Sequence, residues 1–284
     1  MPTRGTLAGM STHPFDQALT LSPLGSGRYA GHTAPAYWNM IGPYGGITAA
    51  LVLQAVMQHP DRLGEPITLT VNFAGVVPAG AFEAHAVALR TNRSTQHWTV
   101  TLASTSAQGQ TQISTSATVV TALRRGTFVA SDAPMPASLP APASLAEAVR
   151  PAPGVAWLDS YELRPITGHV PERWDGQGVD SQSLLWLRDC PPRPLDFCSL
   201  TALADLFFPR IWLRRATRVP VGTVAMTVYF HADGPGLAAT GDGYLLGQVR
   251  GQGFRNGFFD HSGQLWNEAG TLLATTHQIV YFKA

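Results

Sequence analysis

The chain has 284 residues, 45% of them apolar and 13% charged, so it can bury a large core and lies far from the composition of a disordered protein. Nineteen basic residues face 18 acidic ones, and a net charge of +1 provides no field to draw the chain onto nucleic acid or anionic lipid, which argues against both as partners. The two cysteines, Cys190 and Cys198, make neither a CxxC redox site, nor a zinc knuckle, nor a secreted disulfide framework, and are read as reduced thiols.

The segment from Met1 to His13 has no apolar run of signal-peptide length, and no window of about 18 apolar residues occurs. The expectation is a soluble cytoplasmic protein, which makes the sequon Asn92-Arg93-Ser94 a chance match. Residues 10–121 then read as one unit: an extended segment Phe15 to Leu24, an apolar helix Gly45 to Gln58, and a strand ending Leu69-Thr70-Val71-Asn72-Phe73. In that strand Ile67, Leu69, Val71 and Phe73 alternate with polar residues, the period-two pattern of a half-buried antiparallel strand. Further strands follow at Phe82 to Arg90, Trp98 to Ser106 and Thr111 to Thr121.

Residues 122–154 shift to Ala, Pro and Ser, with Pro134, Pro136, Pro140, Pro142, Pro151 and Pro153 too closely spaced for helix or central strand, and read as a linker. Residues 155–284 then repeat the first unit: an extended segment Leu158 to Thr167, an apolar helix Ser199 to Phe208, and Met226-Thr227-Val228-Tyr229-Phe230 in place of Leu69 to Phe73. Strands at Tyr244 to Arg250, near Phe258 and at Thr271 to Phe282 complete the copy. One long helix per unit is buried most simply if the curved sheet wraps it. The fold class is α+β: two fused hotdog units, each an antiparallel sheet around one helix.

These residues resemble the acyl-CoA thioesterase II group and its thioesterase-like relatives, in which two hotdog units are fused. The resemblance is carried by Gly42-Pro43-Tyr44-Gly45-Gly46-Ile47-Thr48-Ala49-Ala50-Leu51, by Leu203 to Pro209, by Thr223 to His231 and by Gly270 to Gln278. It implies a water-activating group formed by Asp205, Thr223 and Gln278, an acyl-CoA substrate, and neither cofactor nor metal. Where many relatives have an Asp-His pair after the threonine, this chain has Ala225-Met226.

Read as chemistry, Asp205 flanks the apolar stripe of Leu200, Leu203, Phe207 and Phe208, where partial desolvation suits a carboxylate to take a proton from water. Strict alternation puts Thr223 on the face of Ala225, Thr227 and Tyr229, and Gln278 on that of Ala274, Thr276 and Val280. Ala117 is the first-unit counterpart of Gln278, so that one of two pseudo-symmetric sites is degenerate. Gly45 and Gly46 open a helix, where backbone N–H groups can hold a thioester oxyanion. Arg93, Arg250 and Arg255 are the candidates for the CoA phosphates. His231 and His277 are read as structural, and Asp260-His261-Ser262 as a divergent trio beside a turn at Gly263.

No GxxxxGK[ST], GxGxxG, HExxH or GxSxG motif is present, which leaves nucleotide, metal and nucleophilic-serine chemistry unsupported. The reading is hydrolysis of acyl-CoA to acid and CoA. The alternatives are a non-catalytic acyl-CoA or acyl-chain binding module and, last, a hydratase. Exposed sheet edges invite a dimer or higher oligomer, although one chain already contains two units.

Overall fold

The computed structural model describes residues 13–106, 108–147 and 155–283. The chain opens with α1 (Pro14–Ala18), a short β1 (Ser22–Gly25) and β2 (Arg28–His32). The extended reading of Phe15 to Leu24 is thus corrected over its first half. His13 caps α1 by accepting the Phe15 N–H on Nδ1 at 3.0 Å, and Pro14 supplies a helical φ at the first position. α2 (Gly45–Met57) follows, then β3 (Glu65–Phe73), β4 (Ala81–Thr91), β5 (Thr95–Thr105) and β6 (Thr111–Ala122). α2 is apolar except for Thr48 and Gln54 and is buried from Gly46 to Leu53, as a helix enclosed by a sheet on one side and a second helix on the other must be.

The second unit holds β7 (Tyr161–Thr167), β8 (Ser183–Asp189), α3 (Phe197–Leu203), α4 (Arg210–Arg215) and β9 (Val221–Phe230), then α5 (Gly234–Thr240), β10 (Leu245–Arg255), β11 (Phe258–Asn267) and β12 (Leu272–Phe282). Asp196 caps α3 by accepting the Ser199 N–H at 2.8 Å. α3 stops five residues before the expected end at Phe208: the chain tightens into i→i−3 bonds from Asp205 to Ala202 and from Leu206 to Leu203, and Pro209 bars any return to helix at Phe208. β2, β8, α4 and α5 add to the elements read from sequence. Asp260 to Gly263 lie inside β11 and form no turn.

All twelve strands form one antiparallel sheet in the order β1-β2-β4-β5-β6-β3-β9-β12-β11-β10-β8-β7. The second half of that order is the first reversed, with β7 standing for β1 and β9 for β3. The seam is β3 against β9, where Thr70 lies opposite Thr227 and their hydroxyl oxygens are 3.0 Å apart. The repeated Thr-Val letters therefore meet one another, and a pseudo-two-fold axis passes between the two threonines. Both units contribute to one continuous core that includes Leu53, Leu69, Trp98, Leu200, Leu203 and Met226.

Within the proline-rich segment, Ala133, Met135, Leu139 and Leu145 cover the outer face of the second unit, packing on Leu184, Trp186, Leu246 and Trp266. The indoles of Trp186 and Trp266 donate to the Pro140 and Ala133 carbonyls at 2.9 and 2.8 Å. β8 is consequently buried along most of its length. No helix among the described residues is long and apolar enough to cross a membrane.

Candidate active site

Three elements of the second unit and one of the first converge on Asp205. After α3 the chain makes one more turn, with the Asp205 N–H bonded to the Ala202 carbonyl at 3.1 Å, so Asp205 sits just past the helix end. Its carboxyl faces the start of α2 and accepts the Gly46 N–H. The close approach explains the paired glycines. A Cβ at Gly45 would lie 2.7 Å from Asp205 Oδ2, and one at Gly46 would lie 2.7 Å from the Ala202 carbonyl oxygen. Tyr44, the residue before α2, locks this junction: its hydroxyl donates to the Ala202 carbonyl at 2.7 Å, and its ring stacks on Trp157 with centroids 4.5 Å apart.

Gln278, 5% exposed on β12, donates from Nε2 to Asp205 Oδ1 at 2.6 Å. Thr223 on β9 donates to Gln278 Oε1 at 3.4 Å, a long contact. The chain Thr223 to Gln278 to Asp205 thus runs through one amide whose two ends are both fixed. Thr223 reaches it because of a β-bulge: Ala225 pairs with Ile279 but Thr223 pairs with Val280, so Val224 has no opposite residue. That extra residue reverses the alternation and turns Thr223 to the core side, correcting the face assigned by strict period two.

Asp205 keeps partial contact with solvent, yet burial pushes its carboxyl up to about 7, outweighing the Gln278 and Gly46 hydrogen bonds that favour the ionised form. A carboxyl poised there exchanges protons at neutral pH. Phe73 lies 3.6 Å from a Cβ built on Gly45, and Val76, exposed like Met40 and Ile41, packs beside Gly42 ahead of α2. Met40 and Ile41 form the tip of a tight turn closed by the Trp38–Pro43 bridge.

The register gives the first-unit counterpart of this cluster. Gln278 pairs with Met226 as Val119 pairs with Leu69, so Val119, rather than Ala117, is the equivalent of Gln278; Ala117 answers to Thr276. Either residue is apolar, and the first unit has no matching amide.

Arg93 lies in the β4–β5 turn, Arg250 on the outer side of β10 and Arg255 at the end of β10; all three are exposed and share no hydrogen bond with Asp205, Thr223 or Gln278. His231 contacts Thr275 Oγ1 at 3.3 Å and His277 points to solvent, so neither joins the cluster. His261, set aside in the sequence, lies directly opposite Gln278 and is 2% exposed. The period-two pattern around it, with Phe259, His261, Gly263 and Leu265 on one buried face, was the signal that could have placed it. Among the described residues no group of three or more His, Cys, Asp or Glu side chains could hold a metal ion.

Comparison with known proteins gives two adjoining family matches, the acyl-CoA thioesterase N-terminal domain over residues 34–124 and the acyl-CoA thioesterase C-terminal domain over residues 132–282. Among solved structures, a conserved protein of unknown function with a hot dog fold from Alicyclobacillus acidocaldarius is 44% identical, with a TM-score of 0.89 over 96% of this chain and 99% of that one. A tesB protein of Mycobacterium avium subs paratuberculosis is 18% identical (TM-score 0.75; 95% and 98% covered), and an acyl-CoA thioesterase II from Mycobacterium marinum is 17% identical (TM-score 0.72; 95% and 98% covered). No curated protein matches.

Proposed function

The chain belongs to the acyl-CoA thioesterase family, and from that premise we propose that it hydrolyses acyl-CoA thioesters with a water activated by Asp205 and oriented by Gln278 and Thr223. The observation that carries the reading is the 2.6 Å contact from Gln278 to a carboxyl whose burial raises it to about 7, because a general base works best when its pKa lies near the working pH. Asp205 takes a proton from water as the oxygen attacks the thioester carbon. The carbonyl oxygen becomes an oxyanion at the start of α2, where the Gly45 N–H and the positive end of the helix dipole favour it. The Gly46 N–H is already engaged by Asp205. Collapse of the tetrahedral intermediate expels the CoA thiolate, which recovers the proton from Asp205 and leaves free acid and thiol.

The exposed apolar side chains of Met40, Ile41 and Val76 near Gly42 suit an acyl chain, and exposed arginines such as Arg93, Arg250 and Arg255 suit the CoA phosphates. Thiol release from a series of acyl-CoA chain lengths is the test. Turnover abolished by Asp205→Asn supports the reading; tight binding of every acyl-CoA without thiol release makes the chain an acyl-CoA binding module instead.

A further inference from the structure

The repeat isolates a feature that hydrolysis does not use. On the core face of β5 and β6 the first unit has Trp98, Val100, Ala117 and Val119, an apolar patch exposed by 5% or less. The cross-strand pairs Trp98–Val119 and Val100–Ala117 correspond to His261–Gln278 and Gly263–Thr276 on β11 and β12. One unit thus packs hydrocarbon where the other presents an imidazole, a glycine, a hydroxyl and an amide.

Gln278 belongs to the site already described. His261 and Thr276 do not, although they are buried to 2% and 0% exposure. Neither ring nitrogen of His261 and no hydrogen-bonding partner of Thr276 Oγ1 is accounted for among the described residues. Burial holds the imidazole neutral, near 3, so it offers one donor and one acceptor. Unpartnered polar groups at such depth destabilise a fold and are retained where something else satisfies them. Gly263 removes the volume that Val100 fills in the other unit, since a Cβ there would lie 3.0 Å from Thr276 Cγ2 and 3.3 Å from the Phe207 ring. Phe207 stands edge-on to His261 with ring centroids 6.3 Å apart, and it also lines a cavity with Thr167, Ser183, Leu185 and Arg210. The ring therefore has room beside it.

We infer that His261 and Thr276 recognise an oxygen substituent on the acyl chain, and that the preferred substrates are β-hydroxyacyl thioesters; this rests on the hydrolytic role of the Asp205 site. Facing Cβ atoms on adjacent antiparallel strands are about 5 Å apart. With the thioester carbon facing a water held at Asp205 and Gln278, the β carbon, two bonds from it, comes within reach of His261, the residue directly opposite Gln278. A hydroxyl there both donates and accepts, as do the neutral imidazole and the threonine. A methylene leaves both groups unpaired, and sites built to bond a substrate hydroxyl discriminate strongly against analogues that lack it.

The experiment compares a β-hydroxyacyl-CoA with the unsubstituted acyl-CoA of equal length, reading the ratio of their kcat/KM values in the wild type, Thr276→Val, His261→Leu and His261→Gln. The ratio should favour the hydroxylated substrate by about tenfold or more in the wild type, fall towards unity in Thr276→Val and His261→Leu, and be partly kept by His261→Gln. Thr276→Val preserves shape and serves if a His261 variant fails to fold. A wild-type ratio near unity, or a ratio that Thr276→Val leaves unchanged, overturns the inference. Equilibrium binding of the same two ligands to Asp205→Asn, with and without Thr276→Val, separates the two readings. If no thioester is hydrolysed, the catalytic assignment fails, while tighter binding of the hydroxylated ligand that Thr276→Val abolishes still upholds the pair, and equal binding refutes it.

Discussion

Asparagine at position 205 keeps the volume of the aspartate and can still accept the Gln278 amide, which is 2.6 Å from Oδ1. It cannot take a proton from water, and its own NH2 would face the Gly46 N–H that the carboxylate now accepts. Loss of a general base lowers turnover by on the order of 10²–10⁴. The wild-type rate should rise about tenfold per pH unit up to about 7, where Asp205 ionises, and level off above it; the residual rate of the variant should lack that limb. Stability moves the other way. The folded carboxyl binds its proton more tightly than the ordinary value of 3.8, so the folded state loses stability as pH rises from about 4 to about 7. A rise of that size corresponds to about 4 kcal/mol for a fully buried group, and partial solvent contact reduces this to about 2 kcal/mol. Asp205→Asn removes the penalty, so denaturant melts at pH 8 should show the variant at least as stable as the wild type, with no advantage at pH 4. Near-normal thiol release by Asp205→Asn, or a wild-type rate that is flat between pH 5 and 8, would refute water activation at Asp205.

Gln278→Ala should cost on the order of 10–10² in kcat, less than Asp205→Asn because solvent can replace part of a positioning contact; Thr223→Val should cost roughly twofold to tenfold, its bond being the longer at 3.4 Å. Both are read by initial rates at saturating acyl-CoA. Gly45→Ala puts a methyl 2.7 Å from Asp205 Oδ2 and should lower kcat by on the order of 10–10² with the melting temperature as a control for folding. Neutralising Arg93, Arg250 and Arg255 together should raise KM for acyl-CoA several-fold with kcat nearly unchanged, and an unaltered KM removes these arginines from CoA binding. Light scattering at micromolar concentration should give a dimer or higher oligomer, and a monomer contradicts that expectation.

The repeat was legible because it is written in letters that pair with each other: Thr70-Val71 and Thr227-Val228 form the seam, and α2 announces itself by an apolar run, broken at Thr48 and Gln54, after two glycines. Asp205, Thr223 and Gln278 were reachable through the resemblance, but the physical relations among them were not. Thr223 turns inward only through the bulge at Val224, a single unpaired residue that alternation cannot see. Asp205 stands at a helix end rather than within a helix, because the chain tightens there into i→i−3 bonds, Asp205 to Ala202 and Leu206 to Leu203. His261 was hidden by its neighbours, since Asp260-His261-Ser262-Gly263 has the composition of a turn and only the pairing with Gln278 and Gly251 makes it strand. For Thr223 and His261 a long-range partner overrode the local signal.

Duplication within one chain allows the halves to diverge, and the register shows how they have done so. The first unit keeps Trp98, Val100, Ala117 and Val119 as hydrocarbon packing, whereas the second gives up that packing for His261, Gly263, Thr276 and Gln278. The helices diverge in the opposite sense. α2 of the first unit runs 13 residues and offers its N-terminus, while α3 of the second runs 7 and ends just before Asp205. The carboxyl, the amide and the hydroxyl thus come from one unit and the backbone donor from the other, held together by Tyr44 bonding across to Ala202. A single site made from unequal halves needs the fusion, because two identical units associating by the same seam would supply either two apolar patches or two polar ones.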